Sequence, residues 1–359
     1  MPERVTIVGD GAMGTLCALL LDANGYDVTW WGYQADYMAE VARRRENVRY
    51  MPGVPVPPRV RVTGEDRCVA DAELAVSAVP CQFVRGVWSR LRPHVPSGLP
   101  ICSITKGIEN NTLLRPSQII ADVLGGPGFS GGASCPPPAS GRDAHLPTAA
   151  REPTAVAVLS GPCIAPEVAR RLPTAVVVAG ADAALAERVR RMFATPWFRV
   201  YTNPDVVGVE LAGATKNVIA LAAGILDGLG AGDNCKAALL TRGLVEITRL
   251  GVAMGASRET FAGLAGLGDL VTTCISPVGR NRSAGEQIGR GRSPREVQAA
   301  TNSVIEGIAT TRSVMALAQR YGVEMPITEA AHRVLFEGRP PREAIADLMA
   351  REPKPEHAH

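Results

Sequence analysis

The chain of 359 residues has no run of roughly 18 uninterrupted apolar residues, so no segment of it reads as a membrane span. It lacks an excess of charge of either sign. Lys and Arg number 38 against 35 Asp and Glu, a formal net charge of +3, which argues against the clustered basic face of a nucleic-acid binder. It lacks any Cys-x-x-Cys pair, and no His stands at ligand spacing from a cysteine. The eight cysteines (17, 68, 81, 102, 135, 163, 235 and 274) are scattered, so they read as reduced thiols rather than a zinc site or a disulfide framework. No metal is expected. The charged, apolar and small-residue regions of a signal peptide are missing before the strand-like Val5-Thr6-Ile7-Val8, so the expectation is a cytoplasmic protein. Lysine is scarce too: only Lys106, Lys216, Lys236 and Lys354 interrupt an otherwise arginine-based positive charge. Arg keeps its proton near neutral pH and Lys can lose it, so each lysine is worth examining for chemistry.

What is present is an ordinary globular balance, 46% hydrophobic and 20% charged, with length enough for two domains. Over the first 120 residues short apolar runs alternate with helical patterns. Val5–Val8, Asp27–Trp31, Leu74–Val79 and Leu99–Ile104 read as strands; Met13–Asn24, Asp36–Arg45, Phe83–Leu91 and Leu114–Leu124 read as helices. That alternation predicts a parallel sheet with crossover helices. Further strands are expected at Ala155–Leu159, Ala175–Ala179 and Phe198–Tyr201, with a helix over Ala183–Phe193. Between them, 125–153 is rich in Gly and Pro and poor in apolar residues, the composition of a flexible surface insertion. After Asn203 the strand signals stop. Val206–Leu229, Lys236–Met254, Ser257–Leu264, Val304–Tyr321 and Glu329–Phe336 read as helices. The fold class expected is α/β: an N-terminal Rossmann-like doubly wound sheet over 1–202, followed by an all-α domain over 203–353. The cleft between them is the expected ligand site.

Gly9-Asp10-Gly11-Ala12-Met13-Gly14 is a G-x-G-x-x-G loop that follows a strand and opens a helix. Gly9 allows the tight turn, Gly11 lets a pyrophosphate approach the backbone, and Gly14 lets helix and strand pack closely. The second strand ends Trp31-Gly32-Tyr33-Gln34, without the acid that binds the ribose of NAD and without an adjacent Arg for NADP, so the choice of cofactor stays open. Thr105-Lys106-Gly107 follows a strand at the carboxyl edge of the sheet, where such folds place ligands. Lys216 lies in an apolar helix, Val209 to Ala220. An ammonium buried there must reach a partner or have a lowered pKa, and a lowered pKa suits a general acid/base. Farther on come Gly266-Leu267-Gly268-Asp269-Leu270, Thr272-Thr273-Cys274, and then Arg280-Asn281-Arg282 in what reads as a loop. Arg and Asn present planar donors suited to a phosphate ester, and Asp269 is placed to orient a Lys.

With these motifs, the sequence resembles the bacterial-type NAD(P)-dependent glycerol-3-phosphate dehydrogenases. The resemblance rests on GDGAMGT at 9–15, TKGIE at 105–109, SGP at 160–162 and FRVYTNPDVVGVELAGATKNVIALAAGILDGLG at 198–230. It continues with AALLTRGLVEITRLG at 237–251, GLAGLGDLVTTC at 263–274, GRNR at 279–282 and VIEG at 304–307. It implies reversible reduction of dihydroxyacetone phosphate to sn-glycerol 3-phosphate, the precursor of glycerophospholipids, with NAD or NADP. It further implies that Lys216 is the acid/base, with Lys106 and Asp269 beside it in the catalytic set. The implied substrate site adds Gly161, Cys163, Gly279, Arg280 and Asn281, the last two holding the phosphate. The implied cofactor site takes Gly9, Gly11, Ala12, Met13, Gly14, Tyr33, Lys106, Ala165, Arg280, Val304 and Glu306.

Several positions depart from the family pattern. Ala12 and Met13 stand where a Ser and an aromatic or Thr are common, Cys163 where a Ser or Thr is usual, Ile164 and Pro166 where Phe and Lys are common, and Gly279 where a Ser is usual. A lost hydrogen bond is worth about 0.5–1.5 kcal/mol, so weaker substrate affinity or a slightly different substrate is expected, and Cys163 suggests sensitivity to oxidation. Two other readings compete. One is a related Rossmann/helical dehydrogenase, such as a ketopantoate reductase or hydroxyacyl-CoA dehydrogenase, acting on another hydroxy acid or phosphorylated alcohol. The other is a non-catalytic redox sensor, against which the retained Lys106, Lys216 and Asp269 count. A homodimer is a further possibility, with apolar Val218–Leu226 as a candidate interface.

Overall fold

The computed structural model describes residues 2–125, 156–301, 303–352 and 355–356. Apart from Gly125, the proposed insertion at 125–153 lies outside the described residues, as does Cys135 within it.

Eight strands form one sheet: β1 (Arg4–Val8), β2 (Asp27–Trp31), β3 (Arg61–Thr63), β4 (Leu74–Ser77), β5 (Ile101–Ser103), β6 (Val156–Ser160), β7 (Thr174–Gly180) and β8 (Phe198–Asn203). Their order is β3-β2-β1-β4-β5-β6-β7-β8. Neighbours from β3 through β6 run parallel, and Val5, Ile7, Leu74, Val76 and Cys102 are all but fully buried, as in a sheet covered on both faces. The covering helices are α1 (Ala12–Ala23), α2 (Ala35–Arg44), α3 (Val84–Leu91), α4 (Pro116–Leu124), α5 (Ala165–Ala169) and α6 (Ala183–Phe193). Two features correct the expected sheet. The three-residue β3 was not foreseen, and β7 runs antiparallel to β6, with β8 parallel to β7. The five-residue α5 is too short to carry the chain back along the sheet, so the next strand returns in the opposite sense.

The remaining chain is helical: α7 (Val206–Leu229), α8 (Asp233–Ala253), α9 (Arg258–Ala262), α10 (Asp269–Ile275), α11 (Arg280–Gly289), α12 (Pro294–Ala299), α13 (Glu306–Tyr321), α14 (Pro326–Phe336) and α15 (Pro341–Met349). α7 is the axis of this half. Asp205 caps its first turn by accepting from the Gly208 N–H at 2.8 Å, and Gly230 ends it in the left-handed region. By length and composition α7 could cross a membrane, but 89% of its most apolar stretch is buried inside the fold. The Val218–Leu226 stretch read as a candidate interface is thereby taken up in the chain's own core.

One crossing positions the site. A Cβ on Gly224 of α7 would stand 1.9 Å from the Arg282 carbonyl oxygen, and one on Gly285 of α11 would stand 2.0 Å from that of Leu221. Only glycine at both positions lets the two backbones touch. The contact sets the first turn of α11 beside the middle of α7. Arg280 and Asn281, read from sequence as a loop, are the first two residues of that helix: Gly279 caps it with backbone alone, so the usual side-chain start signal is missing.

Candidate active site

The glycine loop has the geometry its spacing requires. Gly9 takes φ +129°, and a Cβ there would meet the Ala78 carbonyl oxygen at 2.5 Å; on Gly14 it would meet that of Gly9 at 2.0 Å. Gly11 faces open space and caps α1 without a side-chain hydrogen bond, leaving the helix N-terminus and its positive dipole end clear for an anion. Ala12 and Met13, half-buried, form the first turn behind it. The indole of Trp30 braces the loop by donating to the Gly9 carbonyl at 2.8 Å. Tyr33, 57% exposed, stands at the carboxyl end of β2. This arrangement fits a dinucleotide.

On the far side of the cleft, four of the expected residues converge. The Lys216 Nζ donates to Asp269 Oδ1 at 2.9 Å and to Thr273 Oγ1 at 2.5 Å. The Lys106 Nζ, after β5, pairs with Asp269 Oδ2 and donates to the Gly161 carbonyl at 3.1 Å. A single carboxylate thus gathers two ammonium groups from the two halves of the molecule. Next to Lys216, Asn217 Oδ1 accepts from Asn281 Nδ2 at 2.9 Å, and Asn281 Oδ1 accepts from the Gly307 N–H at 2.9 Å. Arg280 is exposed and reaches the Val304 carbonyl at 3.3 Å. Glu306 joins the halves again: Oε1 accepts from the Cys81 N–H at 3.1 Å, while Oε2 is buried without a hydrogen-bond partner among the described residues. Cys163 is half-buried after β6, Ala165 begins α5, and Gly279 caps α11.

The electrostatics separate these groups. Burial takes the Lys216 pKa down to about 8 against the pull of Asp269, with Lys106 adding to the drop. Burial alone would raise Asp269, but the two ammonium groups outweigh it and hold the carboxyl below its ordinary value. Burial lifts Glu306 to about 7 and the Cys163 thiol to about 12, so Cys163 is not a ready thiolate.

Two polar groups went unforeseen. Thr273 lies four residues after Asp269, one helical turn on, and that spacing becomes informative only once 269–275 is known to be a helix. The Ser160 hydroxyl is buried without a hydrogen-bond partner among the described residues, and it and the Lys106 stem both line the space above Gly213. Lys236 is not part of the cluster; it pairs with Asp227 at 2.8 Å. Lys354 lies outside the described residues. Among the described residues no group of three or more His, Cys, Asp or Glu could hold a metal ion.

Residues 4–135 and 144–186 match the N-terminal part of the NAD-dependent glycerol-3-phosphate dehydrogenase family, and residues 205–346 match its C-terminal part. The chain belongs to this family. A relative from Geobacter sulfurreducens, the NAD(P)+ glycerol-3-phosphate dehydrogenase, is 45% identical over 99% of both chains. The crystal structure of glycerol-3-phosphate dehydrogenase from Coxiella burnetii superposes with a TM-score of 0.86 at 36% identity, covering 98% of this chain and 99% of that one. A ketopantoate reductase from Ralstonia eutropha shares the fold alone, with a TM-score of 0.57 at 13% identity over 95% of this chain and 99% of that one. The family members are NAD(P)-dependent oxidoreductases with an N-terminal Rossmann-type domain and a helical C-terminal domain, and the related-dehydrogenase reading is not favoured.

Proposed function

We propose that this chain interconverts dihydroxyacetone phosphate and sn-glycerol 3-phosphate at the expense of NAD(P)H or NAD(P)+, feeding glycerophospholipid synthesis. The observation that carries the reading is the Lys216–Asp269–Lys106 cluster set beside the Asn217–Asn281 pair. The glycine loop, Tyr33, Lys106, Ala165, Arg280, Val304 and Glu306 would hold the cofactor, which when bound supplies or accepts the hydride.

Lys216 holds the proton. With its pKa near 8 it is charged at neutral pH, stabilises the growing negative charge on the ketone oxygen, and then gives its proton to that atom. In the reverse direction the neutral amine takes the hydroxyl proton. Asp269 and Thr273 fix where the amine points, and Asp269 accepts from Lys106 as well, so both ammonium groups are gathered at one carboxylate beside Gly161, close enough to act electrostatically on Cys163. Among the described residues Arg280 uses one donor, on the Val304 carbonyl, and the Asn281 amide keeps one N–H after serving Asn217. Together they offer planar donors to the phosphate, with Gly279 at its edge.

The test is oxidation of NADH and of NADPH by the purified protein, with and without dihydroxyacetone phosphate. Substrate-dependent oxidation is expected; cofactor binding without it would move the assignment to another substrate. We also place the protein in the cytoplasm, a reading supported by its seven free thiols among the described residues and tested by fractionating cells. As for assembly, we propose a homodimer through the outer face of α8, where Val245 and Val252 are 36% and 41% exposed. Light scattering at the mass of one chain would end that reading.

A further inference from the structure

The carboxyl end of β2 carries no acid, yet it is not electrostatically bare. In a fold of this kind it lies beside the 2′ position of the adenosine ribose. There an acid accepts from the 2′-hydroxyl of NAD, or an Arg accommodates the 2′-phosphate of NADP. Here two guanidinium groups arrive from other elements. Arg90 of α3 donates to the Tyr33 carbonyl at 3.1 Å and lies 4.9 Å from the Tyr33 ring centroid and 5.3 Å from that of Trp31. Its charge is already matched by Asp66 at 2.8 Å. Arg49, from the segment after α2, stacks 3.9 Å from the Tyr37 ring and donates to Gln34 Oε1 at 3.0 Å. It is exposed, and among the described residues no carboxylate stands within ion-pair distance of it.

Arg49 is not a free surface side chain. Two residues before it, the fully buried Asn47 donates to the Asp10 carbonyl at 2.8 Å and to Thr15 Oγ1 at 2.9 Å, and accepts from the Tyr37 hydroxyl at 2.5 Å. The Arg49 N–H donates to that same hydroxyl at 3.2 Å. The segment bearing Arg49 is thus registered directly against the glycine loop. Two other carboxylates are near: Asp10, half-buried in the loop itself against Gly32, and Asp36, exposed in the first turn of α2. Among the described residues Arg49 is an exposed, anchored cation at this edge with no carboxylate in ion-pair contact; Asp10 feels its charge without pairing with it.

We propose that Arg49 binds the 2′-phosphate of NADP(H), with Tyr33 and Arg90 forming the flat wall beside the adenine, so that the enzyme prefers NADP(H) over NAD(H). The inference rests on the cofactor class and not on the identity of the substrate.

The experiment is calorimetric titration of the whole protein with 2′,5′-ADP and with 5′-AMP, for the native chain, Arg49→Gln and Arg90→Gln. In the native chain 2′,5′-ADP is expected to bind roughly tenfold to a hundredfold more tightly, the range a charged hydrogen-bonded contact supports. Arg49→Gln should close that gap while leaving 5′-AMP affinity as it was. Arg90→Gln should weaken both nucleotides together. Equal affinities in the native chain, or a gap that survives in Arg49→Gln, would overturn the proposal. So would loss of 5′-AMP binding in Arg49→Gln with an unchanged melting curve, since Arg49 would then be a general adenosine contact. Failure of dihydroxyacetone phosphate to drive oxidation of either cofactor would overturn the reaction and leave this subsite standing.

Discussion

At the scale of single residues, the chemistry turns on one amine whose proton is loosely held. Because Lys216 titrates near 8, the rate of ketone reduction should be flat at neutral pH and fall as the pH rises through about 8; oxidation of the alcohol should rise over the same interval. Lys216→Ala should lower kcat by about 10²–10⁴ and abolish that inflection, whereas Lys216→Arg, which cannot give up its proton, should be no better. Stopped assays across pH 6 to 10 decide this, and undiminished turnover in Lys216→Ala would remove the assignment. Asp269 raises the Lys216 pKa, so Asp269→Asn should move the inflection below 8 as well as lower kcat. A change in kcat with the inflection left in place would reduce Asp269 to a structural role. Cys163 has the opposite character. Its thiol is pushed up to about 12, so iodoacetamide at pH 7.5 should leave activity intact over minutes, against the oxidation sensitivity that its position alone suggests.

At the scale of elements, the site depends on how closely α7 and α11 approach. A methyl group on Gly285 would stand 2.0 Å from a backbone oxygen that no rotamer can move, so Gly285→Ala should push α11 outward. We expect a loss of about 1–3 kcal/mol in urea unfolding and, since Arg280 and Asn281 ride on that helix, a higher KM for dihydroxyacetone phosphate with a smaller change in kcat. An unchanged KM would detach the crossing from phosphate binding. The same crossing explains what could and could not be read in advance. Strands β1, β2 and β4 and helix α7 announce themselves by largely apolar runs, and Lys216 stands out because it interrupts the one in α7. The helical state of 269–275 and 280–289 was hidden. Asp269–Ile275 is a seven-residue stretch whose β-branched and apolar residues read as readily for a strand, Arg280–Gly289 is mostly polar or glycine, and neither has a side-chain cap; their helicity comes from packing on α7. With it was hidden the reason Thr273 meets Asp269. The reversal at β7 was equally silent: the connection of 161–173 is long enough for either sense, and what decides it is that its helix, α5, is only five residues long.

At the scale of the whole molecule, buried polar links tie the sheet to the helices across the cleft. Glu210 of α7 accepts from Arg115 at 2.6 Å and from the Ser117 N–H and hydroxyl at 2.8 and 2.7 Å. Removing one partner strands a buried charge, so Glu210→Ala should cost about 3–5 kcal/mol in urea unfolding. Glu306 is the second link and is built differently: one oxygen takes the Cys81 N–H, while the other is buried with no hydrogen-bond partner among the described residues. Burial raises its pKa to about 7, from an ordinary 4.5 that the unfolded chain keeps. The ionised form is therefore disfavoured in the fold. No penalty exists below pH 4.5; it grows as the pH rises from 4.5 to 7 and stays constant above. Glu306→Gln, which keeps the oxygen facing Cys81 and cannot ionise, should leave Tm nearly unchanged at pH 4.5 and raise it at pH 8, by an amount equivalent to a few kcal/mol at most. Melting curves at the two pH values test this, and an equal shift at both would mean that shape rather than charge governs the link. Because Glu306 also belongs to the proposed cofactor site, such a gain should come with weaker cofactor binding. An acid held at a stability cost beside a ligand site then marks a contact that only the bound cofactor completes.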